Sequence, residues 1–132
     1  MADAALRLEP VAGDYVVCRL PAGAAPPPDP GRGALFSATR TADEVSVVCP
    51  ADAAPAGART EGPFAALRVS GALDFSLTGI LASLAAPLAE AGVSVFAIST
   101  FDTDYLLVPR ERLDDAREAL AAAGHELVGS SR

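Results

Sequence analysis

Apolar and polar residues along this chain fall into short strand-like runs, two helical repeats and two proline-rich breaks. Leu6 to Glu9 is a candidate short edge strand. Tyr15 to Leu20, YVVCRL, is apolar and β-rich and follows the turn signal Gly13-Asp14, which predicts a strand. Pro21 to Gly33, with Pro26-Pro27-Pro28 and Pro30, cannot be helical, because proline lacks the backbone donor and clashes with the preceding turn. An irregular loop with some polyproline II character is expected there. Leu35 to Thr39 and Val45 to Cys49 read as strands joined by Arg40-Thr41-Ala42-Asp43-Glu44, a hairpin pattern. Pro50 to Gly62 is a second loop rich in Pro, Ala and Gly, and Phe64 to Val69 resumes as a strand.

The next stretch changes period. Leu77, Ile80, Leu81, Leu84 and Leu88 recur at helical spacing, so a helix over Leu77 to Ala91 should lay one apolar face on a sheet. Ser76 or Thr78 suits its N-cap and Gly92 the left-handed residue past its end, while Pro87 should kink it or weaken its last turn. Val93 to Ser99 and Asp104 to Val108 are predicted strands. Leu113, Ala116, Leu120 and Ala123 define a second amphipathic helix, with Glu111, Asp114 and Asp115 near its positive end and Gly124 closing it. His125 to Val128 is a final strand.

Laying the strand pairs over each other exposes an internal repeat. Phe36 matches Phe96, Thr39 matches Ser99, Glu44 matches Asp104, Val45 matches Tyr105 and Val47 matches Leu107, all sixty positions apart. Cys18-Arg19-Leu20 matches Leu67-Arg68-Val69 at forty-nine. The eleven-residue shortfall equals about three helical turns, so the first half has the proline loop in place of a helix. The reading is α+β: two tandem repeats, 1–62 degenerate and lacking its first helix, and 63–132 a complete βαββαβ unit of the ferredoxin-like kind.

Composition removes whole classes of function. A chain of 132 residues that is 51% hydrophobic fits one compact domain or two small repeats sharing a core. Ten Lys plus Arg against seventeen Asp plus Glu gives 10 − 17 = −7, which argues against nucleic acid and anionic membranes as partners. All ten cations are arginine, so P-loop and Schiff-base lysines are absent. Without a leader pattern or an apolar run near the roughly 18 residues that span a bilayer, a cytoplasmic location is expected. Cys18 and Cys49 sit in apolar runs; two buried reduced thiols are the plain reading, and a disulfide or reactive pair the alternative. His125 is remote in sequence from any activated nucleophile, and Gly31-Arg32-Gly33 has Phe36 where a dinucleotide fingerprint needs glycine, so neither a catalytic triad nor that cofactor is supported. No cofactor or metal is predicted.

Asp74 to Val108 combines two complementary features. A helix N-terminus offers free N–H groups to an anion, and the turn Phe101-Asp102-Thr103-Asp104 offers carboxylates to a cation. A free α-amino acid carries both charges.

The segments Asp74-Phe75-Ser76-Leu77-Thr78-Gly79-Ile80 and Ser99-Thr100-Phe101-Asp102-Thr103-Asp104-Tyr105, in a tandem βαββαβ pattern, resemble the ACT domain. The closest likeness is the CASTOR-like type of the eukaryotic cytosolic arginine sensor, also found in small stand-alone bacterial proteins, and Thr39 to Val48 resembles its first repeat. The resemblance implies an amino-acid-binding regulatory or sensor protein without catalysis, its ligand held between the repeats. It puts the backbone of Thr78, Gly79 and Ile80 at the ligand's main-chain end, Thr100, Phe101 and Asp104 along its side chain, and Ser46 with Val47 on the facing wall. Each has a plainer role: Gly79 easing packing, Phe101 plugging a loop, Ser46, Asp102 and Asp104 facing solvent. A ligand-free protein-interaction module is the alternative function, and a small enzyme the more distant one. Because the first repeat lacks a helix to cover strands as apolar as YVVCRL and VSVVC, part of that face or a strand edge should stay open, which predicts a homodimer. Loops that fold back and seal the face would leave a monomer.

Overall fold

The computed structural model describes residues 5–70 and 79–129. In chain order the elements are β1 (Arg7–Pro21), β2 (Ser37–Arg40), β3 (Glu44–Pro50), β4 (Arg59–Val69), α1 (Ile80–Glu90), β5 (Phe96–Ser99), β6 (Asp104–Pro109), α2 (Leu113–Ala122) and β7 (Glu126–Leu127). Single 3-10 turns at Ala51–Ala53 and Arg110–Arg112 follow β3 and β6. The chain forms two compact units: Ala12–Phe64, and Ala65–Arg132 together with Met1–Val11. The architecture is α+β, and from β4 onward the order is β-α-β-β-α-β.

In the C-terminal unit the strands run in the order β7, β1, β4, β6, β5. The first residues of β1 pair in parallel with β7, Arg7 opposite Glu126 and Leu8 opposite Leu127. Leu67 and Val69 of β4, Leu106 and Val108 of β6, Leu84 and Leu88 of α1, and Leu113, Ala116 and Leu120 of α2 form one buried cluster. The i, i+4 spacing in α1 and the period of two in the strands put these residues on facing surfaces. Helix α1 stops where Gly92 takes a positive φ of 74°. Arg112 donates to the carbonyls of Ala91 and Gly92 at 3.1 and 3.3 Å, placing a cation at the negative end of that helix.

In the N-terminal unit the strands run in the order β2, β3, β1, β4, with β2–β3 and β3–β1 antiparallel. Its core is Cys18, Val45, Val47 and Cys49, each at most 1% exposed. Ala24 from the proline loop and Ala53, Ala54 and Ala58 from the second loop pack against it. The expected open face is therefore sealed by loops, because alanine-rich segments lie flat enough on the strands to stand in for a helix.

Several boundaries differ from the sequence reading, among them that of β5, which starts at Phe96 rather than Val93. Gly13-Asp14 does not start a strand: β1 runs through it, with Gly13 absorbing a φ of 94°. Strand β4 begins at Arg59 rather than Phe64, so its polar, exposed start had passed for loop. β2 sits at Ser37–Arg40, shifted from Leu35 to Thr39. Helix α1 starts at Ile80 with Gly79 as its N-cap; Ser76 and Thr78 lie outside the described residues.

The hairpins also correct the repeat register. Ser37 faces Val48 in the first and Phe96 faces Leu107 in the second. In each, a threonine N–H bonds a carbonyl three residues on, Thr41 to Glu44 at 3.0 Å and Thr100 to Thr103 at 2.8 Å. Thr41 thus corresponds to Thr100, fifty-nine positions apart rather than sixty. Glu44 answers to Thr103, not to Asp104.

Candidate functional site

Gly79 takes φ 81° at the start of α1, and no side chain caps that end. A Cβ added at Gly79 would meet nothing within 4 Å, so backbone conformation, not close packing, is what calls for glycine here. The first-turn N–H groups, beginning at half-buried Ile80, are the donors an anion would use. Thr78 lies outside the described residues.

The β5–β6 turn is built by hydroxyl groups. Thr100 accepts the Thr103 N–H on its Oγ1 at 3.1 Å and donates to the Thr103 carbonyl at 3.0 Å, which commits that hydroxyl to the turn itself. Thr103, almost fully buried, donates to the Val69 carbonyl at 2.8 Å and fastens the turn to the end of β4. Ser99 donates to Asp104 Oδ1 at 2.6 Å, the two being register partners at the base of the hairpin. One carboxylate oxygen is thereby oriented, and the half-buried group retains acceptor capacity. Phe101 projects from the tip, 81% exposed, so it is not a plug beneath the core.

The helix start and the turn are linked through the sheet end. Ser70 N–H donates to Arg7 O at 2.7 Å, one residue beyond the Val69 carbonyl that holds Thr103. Leu6 N–H donates to His125 Nδ1 at 3.0 Å. That bond makes Nδ1 an acceptor, so Nε2 carries the proton and donates to the Ser83 carbonyl at 3.1 Å. The Ser83 carbonyl is the one that Pro87, four residues on, cannot bond for want of an N–H. His125 fills the place that Pro87 leaves empty, and Ser83 N–H returns to Gly79 O at 2.9 Å. A groove of about 460 Å³ along this face of α1 is bordered by Gly79, Ser83, Pro87, Glu90 and His125; none of residues 99–104 lines it. The histidine thus serves in structure, a role that sequence position does not announce.

Ser46 and Val47 belong to β3 in the N-terminal unit. Val47 is fully buried in its core. Ser46 is half-buried, opposite Arg19 on one side and Thr39 on the other. Cys18 and Cys49 are free thiols within the same core. Burial raises both, and for Cys49 the added influence of Cys18 and Asp52 brings the value to about 11. Among the described residues no group of three or more His, Cys, Asp or Glu is placed to hold a metal ion, and no helix is long and apolar enough to cross a membrane.

This α+β, ferredoxin-like arrangement has identifiable relatives. Residues 59–122 match the ACT domain, and residues 13–57 match a family described as an N-terminal domain. A crystal structure of an Agobacterium tumefaciens protein is similar at 37% identity and a TM-score of 0.87, covering 96% of this chain and 94% of that one. A Vibrio cholerae protein of unknown function, described as a possible transport protein, follows at 26% identity and 0.69, covering 91% of each chain. The regulatory subunit of aspartate kinase from Thermus flavus shares the fold, with a TM-score of 0.58 at 13% identity over 93% of this chain and 99% of that one. No curated protein matches the chain. Over residues 59–122 the chain carries an ACT domain.

Proposed function

We propose that this protein is a regulatory module that binds a free amino acid and performs no catalysis. We further infer that its units are ACT repeats in tandem, of the CASTOR-like type, with the N-terminal repeat lacking its first helix. The observation that carries the reading is in the C-terminal unit: an α1 start without a side-chain cap and an Asp104 carboxylate oriented by Ser99, joined by bonds through the same sheet end. The N–H groups after Gly79 take the ligand carboxylate, and Asp104 takes an ammonium or guanidinium, with Thr100 and Phe101 flanking it. The ACT match and the fold shared with an aspartate kinase regulatory subunit support a small-molecule regulatory role. A thermal-shift panel of the twenty amino acids tests it. At a concentration 100-fold above Kd, a native-state ligand adds about 2.7 kcal/mol and raises Tm. A flat panel removes the reading.

One observation favours the interaction module instead. The edge strand β5 is exposed or half-exposed throughout and uncharged, and Phe96 and Phe101, the two exposed large apolar residues among the described residues, bracket it. Edge strands are normally guarded by charge or proline. This edge, rather than the sealed N-terminal sheet, is the surface we propose for a homodimer. Light scattering giving twice the 13.3 kDa chain mass supports it, and a mass of one chain opposes it.

A further inference from the structure

The N-terminal unit contains a pocket of about 370 Å³ outside the region matched to the ACT domain. It forms where Ala12–Tyr15 of β1, the end of the proline loop at Arg32-Gly33, and the turn Pro50–Asp52 come together. Its size falls at the small end of the roughly 300 to 1,000 Å³ of ligand pockets.

The wall is fitted together rather than draped. Ala34 N–H donates to the hydroxyl of buried Tyr15 at 3.0 Å. Gly33 has φ 79°, and a Cβ there would lie 2.9 Å from Pro50 Cγ and 3.2 Å from the Tyr15 hydroxyl. Arg32 Nη1 donates to Asp52 Oδ1 at 2.6 Å, tying the loop to the turn after β3. Opposite charges therefore stand side by side above the apolar surfaces of Ala12, Tyr15, Pro50 and Ala51.

That pairing restricts what can bind. A simple anion must compete with Asp52 for Arg32 and also meets a second carboxylate in the lining, Asp14, and a simple cation must compete with Arg32 for Asp52. A molecule carrying both charges adds to the pair without displacing it. Its carboxylate takes guanidinium N–H groups not directed at Asp52, and its ammonium takes remaining carboxylate lone pairs. We propose that this pocket binds a small zwitterion with an apolar body, an aliphatic α-amino acid being the simplest, at a site separate from that of the C-terminal unit.

The test uses the full chain labelled with 15N and three probes: L-leucine, 3-methylbutylamine, which lacks the carboxylate, and 4-methylpentanoate, which lacks the ammonium. Leucine should shift the amides of Gly13, Gly33 and Ala34, with each half-molecule binding at least about ten-fold more weakly. Arg32→Gln and Asp52→Asn, both at exposed side chains, should each weaken the leucine response at those amides by a similar factor and leave other resonances in place. The proposal is overturned if leucine up to about 10 mM moves none of the three amides, if a half-molecule binds as well, or if the response survives both substitutions. A response confined to Gly79 and Thr100 would uphold the C-terminal site and refute this one.

Discussion

The two units solve one problem in different ways. The C-terminal unit covers its sheet with α1 and α2, and the N-terminal unit covers its own with alanine-rich loops. Both keep the same threonine-anchored hairpin turn, Thr41-Ala42-Asp43-Glu44 and Thr100-Phe101-Asp102-Thr103. What each turn carries differs. Glu44 makes a solvent-side ion pair with Arg19 at 3.7 Å, whereas Thr103 is buried against Val69. Ala42 suffices at the position where the second turn exposes an aromatic ring. Folding of the turn therefore does not require an aromatic ring at the position of Phe101.

The helical solution needs a repair that the loops do not, and that sets the largest expected effect. His125→Leu leaves the Leu6 N–H and the Ser83 carbonyl without partners, at about 1 to 3 kcal/mol each, so urea denaturation should show a loss of about 2 to 6 kcal/mol. A loss under 1 kcal/mol would mean that the bridge at Pro87 is dispensable. Next comes alkaline pH. With the Cys49 thiol raised from 9.0 to about 11, folded and unfolded chains are both protonated below pH 9 and stability is complete. Between pH 9 and 11 the unfolded chain gives up its proton first, and stability should fall by about 3 kcal/mol. The hairpin register makes Val108 the counterpart of Cys49 in the C-terminal unit, so Cys49→Val should remove most of that fall and leave only what buried Cys18 contributes; an undiminished loss would place its origin elsewhere.

Smaller effects separate the two turns. Thr103→Val removes the buried hydroxyl bond to the Val69 carbonyl and should cost about 1 to 3 kcal/mol, while Glu44→Val, losing only an exposed ion pair, should cost at most about 1 kcal/mol. Thr41→Ala and Thr100→Ala should each cost about 1 kcal/mol, because each removes a hydroxyl that holds its own turn. Unequal losses in that last pair would dissolve the correspondence of the hairpins.

Much of the fold was legible where pattern is local. Period two marked β3 and β6, period 3.6 marked α2 and most of α1, and Gly92 and Gly124 marked helix ends. The missing helix was visible as a proline run. Elements whose signal is distributed were not legible. β1 passes through Gly13, which takes a positive φ within the strand, and its pairing with β7 joins residues 119 positions apart, which no window of sequence reports. The gapless match at sixty was off by one because similar residues align in either register, and only the turn bonds decide. Of the candidate site, Gly79 and Asp104 were readable as types, a helix-start glycine and a turn carboxylate. The Thr103 anchor and the His125 bridge depend on carbonyls of distant residues and carry no motif.

Calorimetric titration of the wild-type chain and Asp104→Ala with the amino acid that raises Tm most tests the central claim directly. The account predicts measurable binding to the wild type and a loss of roughly 1.5 to 3 kcal/mol in the variant, about ten-fold to more than a hundred-fold in affinity. Equal affinity in the two proteins would contradict it.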